Sequence, residues 1–220
     1  MTVFAPNLTS KLLLKVALEN QSKFHDSVLE LGCGSGWITE NILKSLHSVD
    51  TSFYLSDISL EAIDAAKSGL TKSIPEEHFR VGSGLAPWVG RQFDFIINDI
   101  AGIADEISAI STWYEGVPFD AGSDGLANTR KILEVIPQVL KPHGVFIAPV
   151  ISLSDVAEYY RLLEQTFKHI VYLYRTWWPM PESIIGNRSL LEKLESVQSI
   201  KLKEKYGRIL AFTEVAVCEL

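Results

Sequence analysis

At 220 residues the chain fits one α/β domain with a full hydrophobic core, and with 47% hydrophobic and 21% charged residues no segment is depleted enough to be disordered. The formal charge of -7 disfavours a broad phosphate-binding surface, which needs clustered Lys and Arg to release counterions, so extended nucleic-acid binding is not expected. Two cysteines make no disulfide framework, apolar stretches are broken well before a bilayer's thickness, and the N-terminus lacks a basic-then-apolar leader, so the expected compartment is the cytoplasm with no membrane partner.

Apolar runs of strand length alternate with segments of helical period, which predicts a doubly wound, mostly parallel sheet of seven strands in a single domain over 1–220. Residues 1–26 supply an N-terminal helix through the stripe Leu8, Leu12, Leu13, Val16 and Ala17. Ser27 to Leu31 reads as the first strand, with a helix over about 37–46 after it. Ser52 to Leu55 is the second strand, and Ser59 can cap a helix reaching about Leu70. Phe79 to Val81 and Phe93 to Ile97 follow as strands.

From Ala101 to Ser123 the chain is irregular and longer than most connections, which favours a functional loop. Ser123 or Asp124 can cap the next helix, Pro137 should kink its last turn, and Lys141-Pro142-His143-Gly144 ends it. Val145 to Ile151 is a fifth strand, and Asp155 with Glu158 can form a capping box for a helix to about Phe167. Ile170 to Thr176 and Ile209 to Cys218 read as a closing antiparallel pair, separated by an insertion over 177–206 that carries its own helix near 189–197. Lys201, Lys203, Lys205 and Arg208 are interrupted by Glu204 and read as a solvated edge.

The sharpest signal is Glu30-Leu31-Gly32-Cys33-Gly34-Ser35-Gly36, a strand running through alternating glycines into a helix. Such glycines let a ligand approach the backbone where a Cβ would collide. A plain glycine-rich turn would not demand an acid two residues ahead, nor one at the end of the next strand, and Glu30 and Asp57 supply both. Asp57 lies 21 residues after Gly36, where a carboxylate can accept ribose hydroxyl protons, although beside Ser59 it could equally cap a helix. A nicotinamide dinucleotide site is the competing reading. Its fingerprint needs a small residue at position 37 for close helix packing, and Trp37 stands there.

The Glu30-to-Gly36 stretch resembles motif I of the class I S-adenosylmethionine (SAM)-dependent methyltransferases, and Asp57 matches their ribose-binding acid. The likeness implies SAM as cofactor, with Glu30 helping to hold the methionine amino end. Gly32, Cys33, Gly34, Gly36, Trp37, Ile58, Gly82, Ser83 and Asp99 join Glu30 and Asp57 as the expected cofactor-binding set. Ser83 stands where the family often has an acid for the adenine amino group, which leaves adenine to backbone and to Leu85.

Among subgroups the chain resembles the amino-methylating branch that includes the release-factor glutamine methyltransferases. Three stretches carry this: Phe4-Ala5-Pro6 with Thr9 and Ser10, Phe93-Asp94-Phe95-Ile96-Ile97-Asn98-Asp99, and Gly122-Ser123-Asp124-Gly125-Leu126. The branch's [ND]-P-P-[YF] tetrapeptide falls on Asp99-Ile100-Ala101-Gly102, where the acid is kept and both prolines and the ring are absent.

Methyl transfer is an in-line displacement, so the protein's main task is alignment. A carboxylate at the end of the fourth strand can orient N–H groups and offset charge developing on an acceptor nitrogen. Asp99 is the candidate catalytic residue, with Asn98 as a polar neighbour; the alternative is a carboxylate that orders its loop. Phe4, Trp113, Trp177 and Trp178, together with Tyr114, are candidates for walling an acceptor pocket, against the bland role of core packing. His25, His47, His78, His143 and His169 show no metal-ligand spacing, and no metal is expected. The reading is a SAM-dependent methyltransferase with an unidentified acceptor, a small molecule or a protein side chain. An inactive methyltransferase-like binding module is the alternative, and a dinucleotide oxidoreductase a third.

Overall fold

The strand Ser27–Leu31 (β1) is buried along its whole length, as a strand covered by helices on both faces must be. The computed structural model describes residues 5–46, 50–70, 73–100, 102–113 and 120–220. Ahead of β1 runs the helix Leu8–Glu19 (α1), whose first turn is held by Asn7: its side-chain oxygen accepts from the backbone N–H of Thr9 and of Ser10. The helices Trp37–Ser45 (α2) and Leu60–Leu70 (α3) connect β1 to Ser52–Asp57 (β2) and β2 onward to Phe79–Val81 (β3). Ser59 caps α3 through its hydroxyl, which accepts from Ala62 N–H.

The strand Phe93–Asn98 (β4) lies on the other side of β1, pairing Val28 with Phe95 and Leu31 with Asn98. After it come a short helix Asp105–Ala109 (α4), the helix Ala127–Val139 (α5), the strand Leu140–Ile151 (β5) and the helix Val156–Thr166 (α6). The chain closes with His169–Pro179 (β6), the helices Glu182–Ile185 (α7) and Arg188–Ser196 (α8), then Lys203–Lys205 (β7) and Arg208–Glu219 (β8).

The sheet has the order β3-β2-β1-β4-β5-β8-β6, with β7 pairing off β8, so among the described residues it holds eight strands where seven were expected. The added one is the three-residue β7 inside the insertion. The first five strands are parallel, and β8 inserts antiparallel between β5 and β6. The chain order reverses between β1 and β4, the point at which ligands enter open α/β sheets.

Two apolar layers sandwich the sheet. On one face Leu13 and Val16 of α1, Ile38 and Ile42 of α2, and Ile63 and Ala66 of α3 pack on Val28, Phe95 and Ile147. On the other, Ile132 and Ile136 of α5 and Tyr159 and Leu163 of α6 cover Leu29, Ile96 and Phe146. A third cluster joins Ile107 of α4, Ile184 of α7 and Leu191 and Leu194 of α8 under the strand end at Ala211. The insertion thus has its own small core, built jointly with the loop after β4.

Two junctions differ from the sequence reading. Lys141-Pro142-His143-Gly144 does not separate helix from strand: α5 stops at Val139 and β5 starts at once, with Phe93 opposite Leu140 and a register shift before Phe95 meets Val145. Pairing across the sheet outweighs the turn propensity of Pro and Gly here. Neither Ser123 nor Asp124 is the cap of α5, whose first helical residue follows Leu126. The Asp124 carboxylate instead accepts from Leu126 N–H and pairs with Arg130. Among the described residues no helix is long and apolar enough to cross a membrane.

Candidate active site

A cleft of about 750 Å³ opens at the C-terminal ends of β1, β2 and β4, within the size range of small-molecule sites. The glycine loop forms its floor. Gly32, Gly34 and Gly36 all hold positive φ, at +68°, +52° and +76°. For Gly32 and Gly36 the reason is the protein's own packing rather than a ligand. A Cβ on Gly32 would stand 2.9 Å from Ile100 Cγ1 and 3.1 Å from the Asp99 carbonyl carbon, and one on Gly36 would stand 2.6 Å from Leu70 Cδ1. These two glycines let β4 and α3 close against the loop, and Gly36 itself is buried away from the cleft. Gly32 and Gly34 both line the cleft.

Asp57 ends β2 and fixes that loop. Its Oδ2 accepts from Gly34 N–H at 2.9 Å, while Oδ1 accepts from Ser59 N–H at 2.9 Å. The carboxylate therefore orders the start of α3, as the helix-capping alternative expected, and it also lines the cleft.

Glu30 is buried, and its Oε2 accepts from the backbone N–H of Thr39 at 3.0 Å and from the Thr39 hydroxyl. It thereby ties β1 to the first turn of α2. Burial pushes its carboxyl up to about 8, against the hydrogen bonds from Thr39 and with the neighbouring charges of Asp99 and Asp57 adding to the rise. The same burial, together with Glu30 and Asp57, pushes the Cys33 thiol well up, so Cys33 lines the cleft as an apolar neighbour and not as a thiolate.

Asp99 follows β4 and flanks the glycine loop, its N–H donating to Leu31 C=O at 2.9 Å. Its Oδ2 accepts from the Ser10 hydroxyl at 2.7 Å, a contact made possible because Asn7 sets the first turn of α1 over the strand ends. Burial pushes Asp99 up to about 7; the Ser10 bond opposes the rise and the charge of Asp57 adds to it. Asn98 is buried in the sheet, where its Oδ1 accepts from Ile100 N–H at 3.3 Å, and it does not line the cleft.

Trp37, Ile58, Gly82 and Ser83 all line the cleft with Glu30, Gly32, Cys33, Gly34, Asp57 and Asp99, and so does Leu85. Ile58, 55% exposed, sits on the rim. Trp113, Trp177 and Trp178, the candidates for an acceptor pocket, are elsewhere. Trp113 and Trp178 meet edge to face at 5.8 Å in the third apolar cluster, Trp178 Nε1–H donates to Thr213 Oγ1 at 3.1 Å, and Trp177 packs on Phe212 at 5.0 Å. Phe4, Tyr114 and His47 lie outside the described residues.

The far wall comes from residues that the sequence reading did not select as site residues: Pro6, Asn7, Thr9 and Ser10 around the start of α1, Asn128 and Lys131 on α5, and Pro149 with Ile151 on β5. Their only signal is positional, since α5 reads as an ordinary amphipathic helix until its polar side is known to face the strand ends. Among the described residues no three His, Cys, Asp or Glu side chains converge as metal ligands.

The arrangement fits SAM. Exposed backbone at Gly34 and a carboxylate at the end of β2 suit a ribose, and the buried acid Glu30 and the carboxylate of Asp99 suit a ligand carrying positive charge. Residues 5–99 match the family model "Methyltransferase small domain". A release factor glutamine methyltransferase of Borreliella burgdorferi is 29% identical over 198 residues, covering 84% of this chain and 66% of that protein. One from Thermosynechococcus vestitus is 28% identical, covering 53% and 42%. The chain thus spans under two thirds of the length of these relatives. The structure is similar to that of a ribosomal protein L11 methylase from Lactobacillus delbrueckii subsp. bulgaricus, with a TM-score of 0.55 at 16% identity, covering 96% of this chain and 80% of that one. At that identity the likeness speaks for the fold.

Proposed function

We propose that the chain is a class I SAM-dependent methyltransferase that binds SAM in the cleft at the β1–β4 switch point and transfers the methyl group to an acceptor held beside Asp99. The observation that carries this reading is the convergence of the Gly34 backbone, Asp57, Glu30 and Asp99 on one cleft at the strand ends.

Bound SAM supplies an electrophilic methyl group on a positively charged sulfur. The protein's residues hold and aim. Asp57 takes the ribose hydroxyls while keeping Gly34 in place. Gly82, Ser83 and Leu85 form the part of the wall where the adenine ring would lie. Glu30 stands behind the glycine loop for the amino end. Asp99, fixed by Leu31 and Ser10, is left to orient the acceptor so that its lone pair points along the bond to be broken, the condition for near-attack geometry.

The acceptor is assigned to the side of the cleft lined by α1, α5 and the end of β5. The release factor methylated by the relatives makes a protein side chain one candidate acceptor, and a small molecule is another.

Calorimetric titration with SAM, and in parallel with its demethylated product, tests the cofactor. Saturable binding of both is expected, together with a loss of about 10- to 100-fold in Asp57→Asn, the equivalent of roughly 1.5–3 kcal/mol for hydrogen bonds to a charged group. Absence of binding in a folded sample would refute the reading.

A further inference from the structure

We propose that the acceptor is an aliphatic amine, that Asp99 takes its proton, and that Ser10 is the positioning residue that holds Asp99 for this. This rests on the methyl-transfer reading above and names the substrate class for the same site.

The first observation is the charge of the cleft. Glu30, Asp57, Asp99 and Asp120 line it, and Lys131 is the one cation among its described lining residues. None of the described ion pairs includes Glu30, Asp57 or Asp99. With Glu30 and Asp57 committed to SAM, Asp99 and Asp120 are left to favour a cationic acceptor. A neutral amide would leave the acid beside it uncompensated, at a cost that grows with burial.

The second observation is how Asp99 is held. Its backbone is pinned to Leu31 and its Oδ2 to the Ser10 hydroxyl, a short bond across 89 positions of sequence. Oδ1 has no hydrogen-bond partner among the described residues and is the oxygen left for a ligand. Ser10 is buried at 3% exposure, and its one proton is committed to the carboxylate. A half-buried carboxyl receiving one hydrogen bond and facing the acids Asp57 and Glu30, with Lys131 also lining the cleft, is a proton acceptor tuned to neutral pH.

The steps balance. An ammonium R–NH3+ gives a proton to Asp99 carboxylate, leaving R–NH2 and the neutral acid. The nitrogen lone pair then forms the N–C bond as the C–S bond breaks and its electron pair returns to sulfur. The products are R–NH2–CH3+ and a neutral thioether, and Asp99 returns its proton to water when they leave.

The test has two readouts. The protein is incubated with methyl-labelled SAM and an extract of the cells it comes from, and the labelled product is hydrolysed in strong acid. A methylated amine keeps its label on the acceptor, whereas a methylated amide releases labelled methylamine. Acid-stable N-methyl label is expected. With that acceptor and saturating SAM, the acid limb of the kcat/KM profile should lie below the ligand-free Asp99 value of about 7, move to higher pH in Ser10→Ala and return in Ser10→Thr, because the cofactor's positive charge favours the carboxylate and loss of the hydroxyl makes Asp99 harder to ionise. Released methylamine, no labelled acceptor, or an acid limb unmoved in Ser10→Ala would overturn the proposal. Failure of SAM to bind in calorimetry would instead sink the methyl-transfer reading itself.

Discussion

Glu30 shows how one residue can serve fold and chemistry together. Its carboxyl is raised from an ordinary 4.5 to about 8, so between these values the folded state binds more protons than the unfolded chain. Stability of the ligand-free protein therefore falls as pH rises through that window. Glu30→Gln keeps an oxygen for Thr39 and should flatten this part of the pH dependence in urea titrations, while the wild type shows a clear decline. Cationic SAM reverses the balance by favouring the ionised acids, so its binding should release protons and tighten as pH rises toward about 8. Calorimetry in buffers of different ionisation enthalpy measures the release directly. A buffer-independent heat would show that Glu30 and Asp99 do not feel the cofactor's charge, and Glu30→Gln should release fewer protons than the wild type.

At the scale of elements, the stretch Gly122 to Leu126 shows why a motif visible in sequence needs structure to be understood. Gly125 has φ at +75°, and a Cβ there would stand 2.8 Å from the Ile103 carbonyl carbon, 2.9 Å from Ala104 N and 2.8 Å from Ser154 Cβ. Three segments cross at this point: the loop after β4, the entry to α5 and the turn between β5 and α6. Two of the close atoms are backbone and cannot swing aside. Gly125→Ala should destabilise by about 3 kcal/mol, combining roughly 1 for the left-handed conformation with about 2 for overpacking. Equilibrium urea unfolding checks this; a cost below about 1 kcal/mol would mean that the crossing is looser than described.

The capping box read at Asp155 and Glu158 is half formed. Asp155 Oδ1 accepts from Glu158 N–H at 3.0 Å, but the Glu158 side chain turns to Arg161. The Asp155 N–H donates to Asp124 C=O instead, joining the starts of α5 and α6. A local pattern named the helix start, and a distant partner took one of its hydrogen bonds.

Across the whole molecule, Asp94 ties the strand ends opposite the cleft. Its Oδ2 accepts from the N–H and the hydroxyl of Ser27 at 3.0 and 2.9 Å and pairs with Lys141 Nζ at 2.8 Å, so one carboxylate joins the beginnings of β1, β4 and β5. Burial works to raise its carboxyl, yet hydrogen bonds from Lys141 and Ser27 outweigh it and hold the group below its ordinary value. This contribution is complete above the unfolded carboxylate value of ~3.9 and is lost as pH falls through the lower folded value. Asp94→Ala should lower stability at neutral pH by about 2 kcal/mol, the scale of hydrogen bonds to a charged group, and should weaken the acid limb of the stability curve. SAM affinity should be unchanged in that variant, because Asp94 lies at the other edge of the sheet. A matching loss of affinity would show that strand-end order reaches the cleft.

The alternation of strands and helices, the glycine loop with its two acids, and the antiparallel close are all legible in the order of amino acids. These are short-range signals: burial on both strand faces, backbone conformations that only glycine adopts cheaply, and fixed spacings along one turn. Folding turned Gly32 and Gly36 to packing, seated Trp113 and Trp178 in the core of the insertion with Trp177 on Phe212, and buried Asn98. It also brought Ser10 onto Asp99 and the polar side of α5 to the cleft. The physical reason is distance along the chain. An aromatic residue carries the same apolar signal in a core as in a pocket, and a serine on a helix gains its meaning from a carboxylate that folding places beside it.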